Sequence, residues 1–322
     1  MLKTPVLLIT FNRPDFTRRV LTAIMAAEPE DLYVFQDGPR ADVPDDEARL
    51  AEVRGVVDEL TEGTRTRVHE RFATRNLGCG PGPAAGLSWY FGEVEQGIVI
   101  EDDAVPHPDF FAYAEELLQR YADNERVMAI ASMNVDRVRP NKESYYFSMM
   151  NRNLCAWATW RRAWRLFDLR HEGVTRCRLS RALRRYGCGV LEREYWCDRL
   201  DEVHRDGVGG TSWDMQFFMS IWLHGGMGIV PNVNLSSNIG TVEEATHPAD
   251  HGNLIDNVPT HPILPLVHPT ELRVQHEADR NFHFSYFESS RGNWTRGHIA
   301  YHLINKKIKK LIGHQGPWRA SR

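Results

Sequence analysis

An apolar run that ends abruptly on three carboxylates constrains this chain more than any other feature of its sequence. Residues 97–100 read Gly-Ile-Val-Ile, which has the length and continuous apolar character of a buried strand. Glu101, Asp102 and Asp103 follow directly. The carboxyl ends of strands are where open α/β sheets bind ligands, so a divalent cation carrying a phosphorylated substrate is one natural partner for these charges. The alternative is a solvated acidic turn before the helix that begins near Pro108.

The chain around this run alternates between apolar segments of strand length and segments of helical periodicity. Residues 14–27, for example, place their apolar side chains on one helical face, and Pro14 suits a first helical turn. Such alternation is typical of a doubly wound α/β sheet. The predicted strands are 5–11, 32–35, 67–72, a fourth that ends at 101, and 127–132; the predicted helices are 14–27, 44–60, 84–94 and 108–121.

Polar residues follow three of the predicted strands. Asn12 and Arg13 come after the first strand, Asp37 after the second, and the acidic triplet after the fourth. Parallel strands would bring all of them to one edge of the sheet. Together they indicate a nucleotide site. Asp37 would contact the nucleobase, Arg13 and Arg75 would bind phosphate, and the acidic triplet would bind a metal ion. Each residue alone has a plainer interpretation as a turn residue or helix cap, which is favoured for Arg13 or Asn76 taken singly.

Composition and motifs exclude several classes of protein. The 322 residues carry a net charge of -4 with a pI near 6.4, which argues against general nucleic-acid binding. We expect a cytoplasmic protein with reduced thiols, because no signal peptide or membrane-length apolar span is evident and the five cysteines are scattered. A Walker sequence and a full GxGxxG are both absent. The Gly/Pro turn at 78–83 is either a backbone phosphate cradle or, more simply, a tight turn.

Several ordered motifs resemble the N-acetylglucosaminyltransferase I family. They are Phe11-Asn12-Arg13 with Thr17-Arg18-Arg19, Phe35-Gln36-Asp37-Gly38, and residues 98–103 before Pro108-Asp109-Phe110-Phe111. The resemblance covers about residues 5–135 and continues more loosely through 157–160 and 211–214. It implies a GT-A-like (Rossmann-like) doubly wound mixed sheet, a nucleotide-sugar donor, in the first instance a UDP-sugar, and Mn²⁺ or Mg²⁺ as cofactor.

The resemblance also implies roles for individual residues. Asp103 would bind the metal, Asp102 would contact the ribose or the metal shell, and Asp37 and Arg13 would contact the base. Residues 231–240 look like bacterial relatives of these transferases, and His247 just beyond them is a candidate metal ligand. The residues expected to bind the nucleotide sugar are Thr10, Asn12, Arg13, Asp37, Arg75, Asn76, Glu101 and Asp102.

Asp214 is the candidate catalytic base, ahead of Glu243 and Glu244. It matches by position the acid with which resembling inverting transferases deprotonate the acceptor hydroxyl. Alternatively, Asp214 has only a structural role at a helix N-terminus, because Ser212 and Asp214 precede an apolar run of helical length.

The second half of the chain is expected to bind the acceptor, a saccharide or lipid-linked hydroxyl. Trp157 and Trp160 are candidate sugar-stacking residues, although large aromatics also fill cores. The basic helix predicted at 298–311 would either touch an anionic membrane from the cytoplasmic side or form a frayed end. We expect a nucleotide-sugar-binding half (1–135), an acceptor-binding half (136–250) and a C-terminal loop and helical extension (251–322).

These features together predict a metal-dependent inverting glycosyltransferase. Two alternatives remain open. A sugar nucleotidyltransferase would normally carry a glycine-rich basic loop directly after the first strand, where this chain has Asn12-Arg13-Pro14-Asp15. A non-catalytic sugar- or partner-binding module would not need an acid such as Asp214 facing the metal site.

Overall fold

The computed structural model describes residues 1–150, 152, 155–206, 213–240, 255–287, 300 and 304. Its strands are β1 (Val6–Thr10), β2 (Asp31–Gln36), β3 (Arg67–Phe72), β4 (Gln96–Glu101), β5 (Ala104–Pro106), β6 (Val127–Ala131), β7 (Tyr145–Ser148), β8 (Ala156–Trp160), β9 (Met227–Pro231) and β10 (Ser236–Asn238). Its helices are α1 (Pro14–Met25), α2 (Asp46–Thr61), α3 (Pro81–Glu93), α4 (Pro108–Arg120), α5 (Arg161–Trp164), α6 (Arg176–Arg185), α7 (Val190–Asp206), α8 (Trp213–Leu223) and α9 (His276–Phe282), which a π-helical turn (His283–Phe287) follows.

Eight strands form one mixed sheet in the order β3-β2-β1-β4-β8-β6-β9-β7. The first four in this order run parallel, β8 runs antiparallel to both of its neighbours, and β7 runs antiparallel to β9. Strands β5 and β10 form a separate antiparallel pair. The predicted doubly wound mixed α/β sheet is confirmed. The predicted halves, 1–135 and 136–250, share this one sheet, because β8 pairs with β4.

The central strands are buried on both faces, which explains their uninterrupted apolar sequences. In β1 all five residues are buried, and the four apolar side chains alternate between two hydrophobic clusters. Leu8 belongs to the cluster beneath α1 and α4, whereas Leu7 and Ile9 belong to the cluster beneath α3 and α8. Each fully buried Leu or Ile side chain contributes about 1.5–3 kcal/mol. Helices on both faces are therefore needed to bury the sheet.

The helices begin and end for recognisable local reasons. Proline occupies the first turn of α1, α3 and α4, where its missing N–H leaves no hydrogen bond unmade. Helix α3 starts at Pro81, three residues before the predicted start, because its first turn absorbs part of the Gly/Pro segment. Helix α4 also has a side-chain cap: the His107 ring accepts a hydrogen bond from the Asp109 N–H.

The C-terminal extension returns to the sheet. Val274 forms a β-bridge with Phe147 of β7, and the Gln275 N–H donates to the Phe147 carbonyl over 2.9 Å. None of the described helices is long and apolar enough to span a membrane. All five cysteines are free.

Candidate functional site

The polar residues predicted to share one edge of the sheet do so. β1 lies between β2 and β4 with all three parallel, and Ile9 is in register with both Phe35 and Glu101. The loops that carry Arg13, Asp37 and the acidic triplet therefore leave the sheet side by side.

Asp102 is almost fully buried, with 2 % of its surface exposed. One carboxylate oxygen accepts a hydrogen bond from the Phe11 N–H over 3.1 Å, and the other pairs with the Arg13 guanidinium. The same guanidinium reaches Asp103, with Nη1 3.1 Å from Oδ2. Burial works to lower the pKa of Arg13, but the attraction of Asp102 and Asp103 outweighs burial and raises it. Arg13 therefore stays charged and ties the loop after β1 to the acids after β4.

Negative charge exceeds positive charge around these acids. Burial and the neighbouring charges of Asp103, Asp214 and Asp102 raise the pKa of Glu101 well above its ordinary value, and Arg13 only partly opposes them. The charge of Asp214, from α8, thus acts on Glu101 together with the charges of the triplet. A site of this kind attracts a cation or shares protons among its carboxyls.

The segment around β10 forms one wall of the cluster. The Ile239 N–H donates to the Asp103 carbonyl over 2.8 Å, and the Gly240 N–H donates to Asn238 Oδ1 over 2.7 Å. A Cβ at Gly240 would lie only 3.0 Å from both Asp103 Oδ2 and Asn238 Oδ1. Glycine therefore lets this backbone approach the acid directly. Asn238 also donates to Cys155 Sγ over 3.6 Å, which links the wall to the start of β8.

Asp256 is a further acid at this wall that sequence reasoning missed. It forms a β-bridge with Asn238, flanked by hydrogen bonds from Asn238 N–H to Ile255 O (3.2 Å) and from Asn257 N–H to Asn238 O (2.7 Å). Burial and the charge of Asp103 raise the pKa of Asp256. Only the long-range pairing of residue 256 with β10 reveals its position, and no local pattern carries that signal.

Asp103 fits the predicted role of metal ligand better than Asp102 does. Oδ1 of Asp103 is buried and has no hydrogen-bond partner among the described residues, whereas both oxygens of Asp102 are used by Phe11 and Arg13. No cluster of three or more His, Cys, Asp or Glu side chains within the described ranges is arranged to hold a metal ion. His247 lies outside the described residues. The described chain thus offers one fitting carboxylate rather than a complete ligand set.

Asp37 organises the loop that leads into α3. Its carboxylate accepts hydrogen bonds from the N–H groups of Gly38, Leu77 and Gly78 and from the Asn76 side chain, at 2.9–3.1 Å. Burial raises the pKa of Asp37, and these backbone N–H groups counteract it. Asp37 and Asn76 are thus brought together as predicted, with the Asp37 oxygens engaged by the loop itself.

Arg75 lies on the same loop with an exposed side chain. Its backbone passes so close to Gly38 that a Cβ there would lie 2.5 Å from Arg75 N. The glycine is required by this close approach, which sets the position of Arg75 at the sheet edge.

Thr10 and Asn12 have structural partners. Thr10 is 2 % exposed, and its hydroxyl donates to the Phe35 carbonyl over 3.4 Å. Asn12 donates to Asp46 Oδ1 over 2.7 Å, and Arg40 binds both oxygens of the same carboxylate at 2.7 and 2.8 Å. The hydrogen bond from Arg40 lowers the pKa of Asp46 to about 2. Asp46, which the sequence analysis did not single out, thus joins the loops that carry Arg13 and Asp37.

Asp214 is the second residue of α8, in its first turn. The residue before the helix, 212, lies outside the described part of the chain. The indole of Trp213 stacks on Trp157 with ring centroids 5.4 Å apart, which fixes the start of the helix against the sheet. The charge of Asp214 contributes to the raised pKa values of Glu101 and Cys79. Asp214 therefore lies close enough to Glu101 and Cys79 for its charge to act on both.

The predicted acceptor role of Trp157 and Trp160 is wrong. Trp157 is fully buried between the sheet and α8, and Trp160 is 3 % exposed with its indole N–H donating to the Leu118 carbonyl over 3.2 Å. Neither ring presents a face to a sugar. Strand β8 has helices on both sides, so its tryptophans fill the core in both directions. The predicted basic helix at 298–311 lies outside the described residues except for 300 and 304.

Comparison with known proteins yields no sequence relative: no family model and no curated protein matches the chain. Likenesses to solved structures are weak. The chain resembles apo-UDP-glucose pyrophosphorylase (10% identity, 76% of this chain and 95% of that one, TM-score 0.39). It also resembles UDP-glucose pyrophosphorylase complexed with UDP-glucose, with 12% identity, 52% of this chain and 79% of that chain covered, and a TM-score of 0.30. A third likeness is to 4-diphosphocytidyl-2C-methyl-D-erythritolsynthase from Anaerococcus prevotii, with 10% identity, 51% of this chain and 74% of that chain covered, and a TM-score of 0.31. TM-scores below 0.5 do not decide an activity.

Proposed function

We propose that this protein is a transferase that binds a nucleotide sugar at the carboxyl edge of β1, β2 and β4 and moves the sugar to a hydroxyl of a saccharide or lipid-linked acceptor. The observation that carries the proposal is the grouping of Asp214 with Glu101, Asp102 and Asp103, whose negative charge Arg13 offsets only in part. Such a cluster matches a donor that arrives with a metal-bound diphosphate, and it includes a carboxylate, Asp214, that could accept a proton.

The donor is accommodated by the loops after β1 and β2. Arg13 supplies a permanent positive charge beside the acids, where phosphate oxygens would replace one of its carboxylate partners. The loop that Asp37 organises presents Arg75 and Asn76 at the adjacent position. Phosphate is therefore expected near Arg13 and the base nearer to Asp37.

Asp214 is the proposed general base. Direct displacement at the anomeric carbon needs a carboxylate opposite the leaving diphosphate to accept the proton of the acceptor hydroxyl. Asp103 is the residue that would hold Mn²⁺ or Mg²⁺ through its unpartnered oxygen. When bound, the metal supplies positive charge that neutralises the diphosphate leaving group. The product of this single displacement has the inverted anomeric configuration.

A sugar nucleotidyltransferase is the second function to test, since two of the structural neighbours are UDP-glucose pyrophosphorylases by name. The segment between β1 and α1 weighs against it: Phe11, Asn12 and Arg13 fill this connection, and α1 begins at Pro14 without a glycine-rich loop. A phosphate cradle would then have to come from the glycines before α3, which Asp37 holds at the same edge.

Two parallel assays separate the alternatives. The protein is incubated with UDP-sugars and Mn²⁺ in the presence of a saccharide panel, and released UDP is measured. In the second assay it receives UTP with sugar 1-phosphates, and released diphosphate is measured. UDP release that depends on Mn²⁺ supports the proposal, and diphosphate release alone replaces it with a nucleotidyltransferase. Mn²⁺-dependent binding of a nucleotide sugar without either product indicates a binding module.

A further inference from the structure

Helix α6 is amphipathic, and arginine dominates its exposed side. Leu179 and Leu183 are fully buried and fix the inner side of the helix in the core. The exposed arginines, which we call the arginine face, are Arg178, Arg181, Arg184 and Arg185. With 3.6 residues in each turn, these four positions fall within about a third of the helix circumference. Four positive charges therefore share one side of the helix.

The acids of the neighbouring helix do not neutralise the arginine face. Helix α7 packs against α6, and its Glu194, Asp198 and Asp201 all pair with Arg176, at 2.9, 3.0 and 2.6 Å. Within the part of the chain that the structure describes, no carboxylate forms an ion pair with an arginine of the arginine face. Like charges three or four residues apart repel each other on a helix. An anionic partner would relieve this repulsion, which the fold itself leaves in place.

Both ends of α6 are fixed, so the arginine face is formed before any partner binds. At the start, the Thr175 hydroxyl accepts a hydrogen bond from the Arg178 N–H over 3.2 Å. Directly after the helix, the Tyr186 hydroxyl donates to the Gly226 carbonyl over 2.6 Å. Gly226 precedes β9, which runs parallel to β6 and β4, so this end of α6 lies at the edge of the sheet opposite to the acidic triplet. Binding at this end leaves the candidate site uncovered.

The use of arginine indicates the chemistry of the partner. Arginine binds phosphate oxygens through a planar fork of N–H donors, and it is more weakly hydrated than lysine. The four guanidinium groups are spread over about 10 Å along the helix, which suits several separate phosphates better than one. The chain as a whole carries a net charge of -4, so a long polyanion that wraps the protein would be repelled elsewhere. A surface of phospholipid headgroups can meet one helix face alone.

We propose that the arginine face of α6 is a docking surface for a membrane that contains anionic phospholipid. Charge complementarity carries the inference, because four exposed arginines without an ion pair lie on one side of a preformed helix. Each basic side chain near an anionic membrane strengthens binding about fivefold. The inference does not depend on the proposed function, since it involves no residue of the candidate site.

The test is a titration of the full chain with vesicles of phosphatidylcholine and phosphatidylserine, and with vesicles of phosphatidylcholine alone. We expect the parent to bind only the anionic vesicles and to be released by added salt, which screens exposed charges. The double variant Arg178→Gln/Arg181→Gln should bind about 25-fold more weakly, because each lost charge weakens binding about fivefold. Its melting temperature should be unchanged, since both side chains are exposed.

The matched control is the double variant Arg49→Gln/Arg65→Gln. It removes two exposed arginines, one on α2 and one just before β3, and changes the net charge by the same amount. This control should bind anionic vesicles as the parent does.

Four results would overturn the docking surface. A parent that does not bind anionic vesicles would do so, and so would full binding by Arg178→Gln/Arg181→Gln, because the contact would then lie elsewhere in the chain. Equal weakening in the two double variants would show that net charge decides rather than the arginine face. A parent that binds duplex DNA but no vesicle would replace the membrane with a nucleic acid. All four results leave the proposed function as it stands, because none of them measures nucleotide-sugar binding.

Discussion

Arg13 Nη1 lies 3.1 Å from Asp103 Oδ2 while the same guanidinium pairs with the buried Asp102. Arg13→Ala would leave the carboxyl of Asp102 without its cation at 2 % exposure, and removing one partner of a buried pair costs about 3–5 kcal/mol. Urea unfolding measures this loss. The control is Arg18→Ala on helix α1, which follows Arg13, because Arg18 pairs with Glu59 at the surface and its loss should change the midpoint little. Equal shifts in the two variants would disprove the special role of Arg13.

Asp103→Asn should keep the fold but remove the response of nucleotide-sugar binding to Mn²⁺, because a hard cation prefers a charged oxygen ligand. Thermal shift with UDP-sugar, with and without Mn²⁺, measures the effect. A ligand at a hundred times its Kd adds about 2.7 kcal/mol of stability. His247→Ala should weaken the Mn²⁺ response less, and Asp58→Asn, an exposed acid on α2, should leave it unchanged. An Asp103→Asn variant that still responds as the parent does would refute the metal assignment.

Asp214→Asn separates a catalytic base from a helix-terminal residue. The amide cannot accept the acceptor's proton, and general-base catalysis contributes about 10² to 10⁴ in rate. A first-turn carboxylate contributes about 0.3–1 kcal/mol to helix stability, so the structural loss should be small. We therefore expect turnover to fall a hundredfold or more with near-parental donor binding, and the parental product to be inverted. Full turnover in the variant, or a retained anomeric configuration, would rule Asp214 out.

The raised pKa of the buried Asp279 carboxyl predicts that the stability of the protein depends on pH. Burial raises its pKa from 3.8 to about 6, opposed by the hydrogen bonds from Ser148 and Met149 and by the charge of Arg152. Because the folded state holds this proton more tightly than the unfolded state, stability falls as pH rises from about 4 to about 6, by about 3 kcal/mol for two pKa units.

The difference between the parent and Asp279→Asn isolates this effect from other carboxyls. Tyr146 and Cys188 also face Asp279, but burial raises the pKa values of both, so they remain neutral in this window. Denaturant unfolding at pH 4, 5, 6 and 7 should show the parent losing stability relative to the variant as pH rises. Parallel curves for the two proteins would show that Asp279 titrates normally.

Replacing glycine by alanine is expected to destabilise the fold at position 38 and to stabilise it at position 55. Gly38→Ala would place a Cβ 2.5 Å from the Arg75 backbone, so the Asp37 loop must shift, at a cost of about 1–3 kcal/mol. Gly55→Ala, inside α2 with nothing within 4 Å of the new Cβ, should stabilise by about 1 kcal/mol. Denaturant midpoints measure both, and the Gly38 variant should also bind UDP-sugar more weakly. A stabilised Gly38→Ala would contradict the described loop.

Local periodicity was sufficient to predict the N-terminal part of the fold. The strand at 67–72 matches β3, and β1, β2, α1 and α4 lie within a few residues of their predicted bounds, because each combines a clear apolar pattern with a turn or proline at its end. Placing Arg13, Asp37 and the acidic triplet at one edge required only that these strands be parallel.

The missed features all depend on contacts between distant segments. The insertion of β8 between β4 and β6 reverses its direction and buries Trp157, which an isolated aromatic-rich segment does not reveal. Asp256 approaches the cluster through its pairing with Asn238 of β10. Side-chain spacing within one segment carries no information about such pairings.

The insertion of β8 also sets an order of events during synthesis. Until β8 emerges from the ribosome, β4 has an open, strongly apolar edge, and its backbone N–H and C=O groups have only β1 as a partner. Pairings between such distant segments form slowly and expose the nascent chain to aggregation. A fragment that stops after the acidic triplet is therefore expected to need a chaperone or to precipitate, whereas the chain that includes β8 closes its own edge.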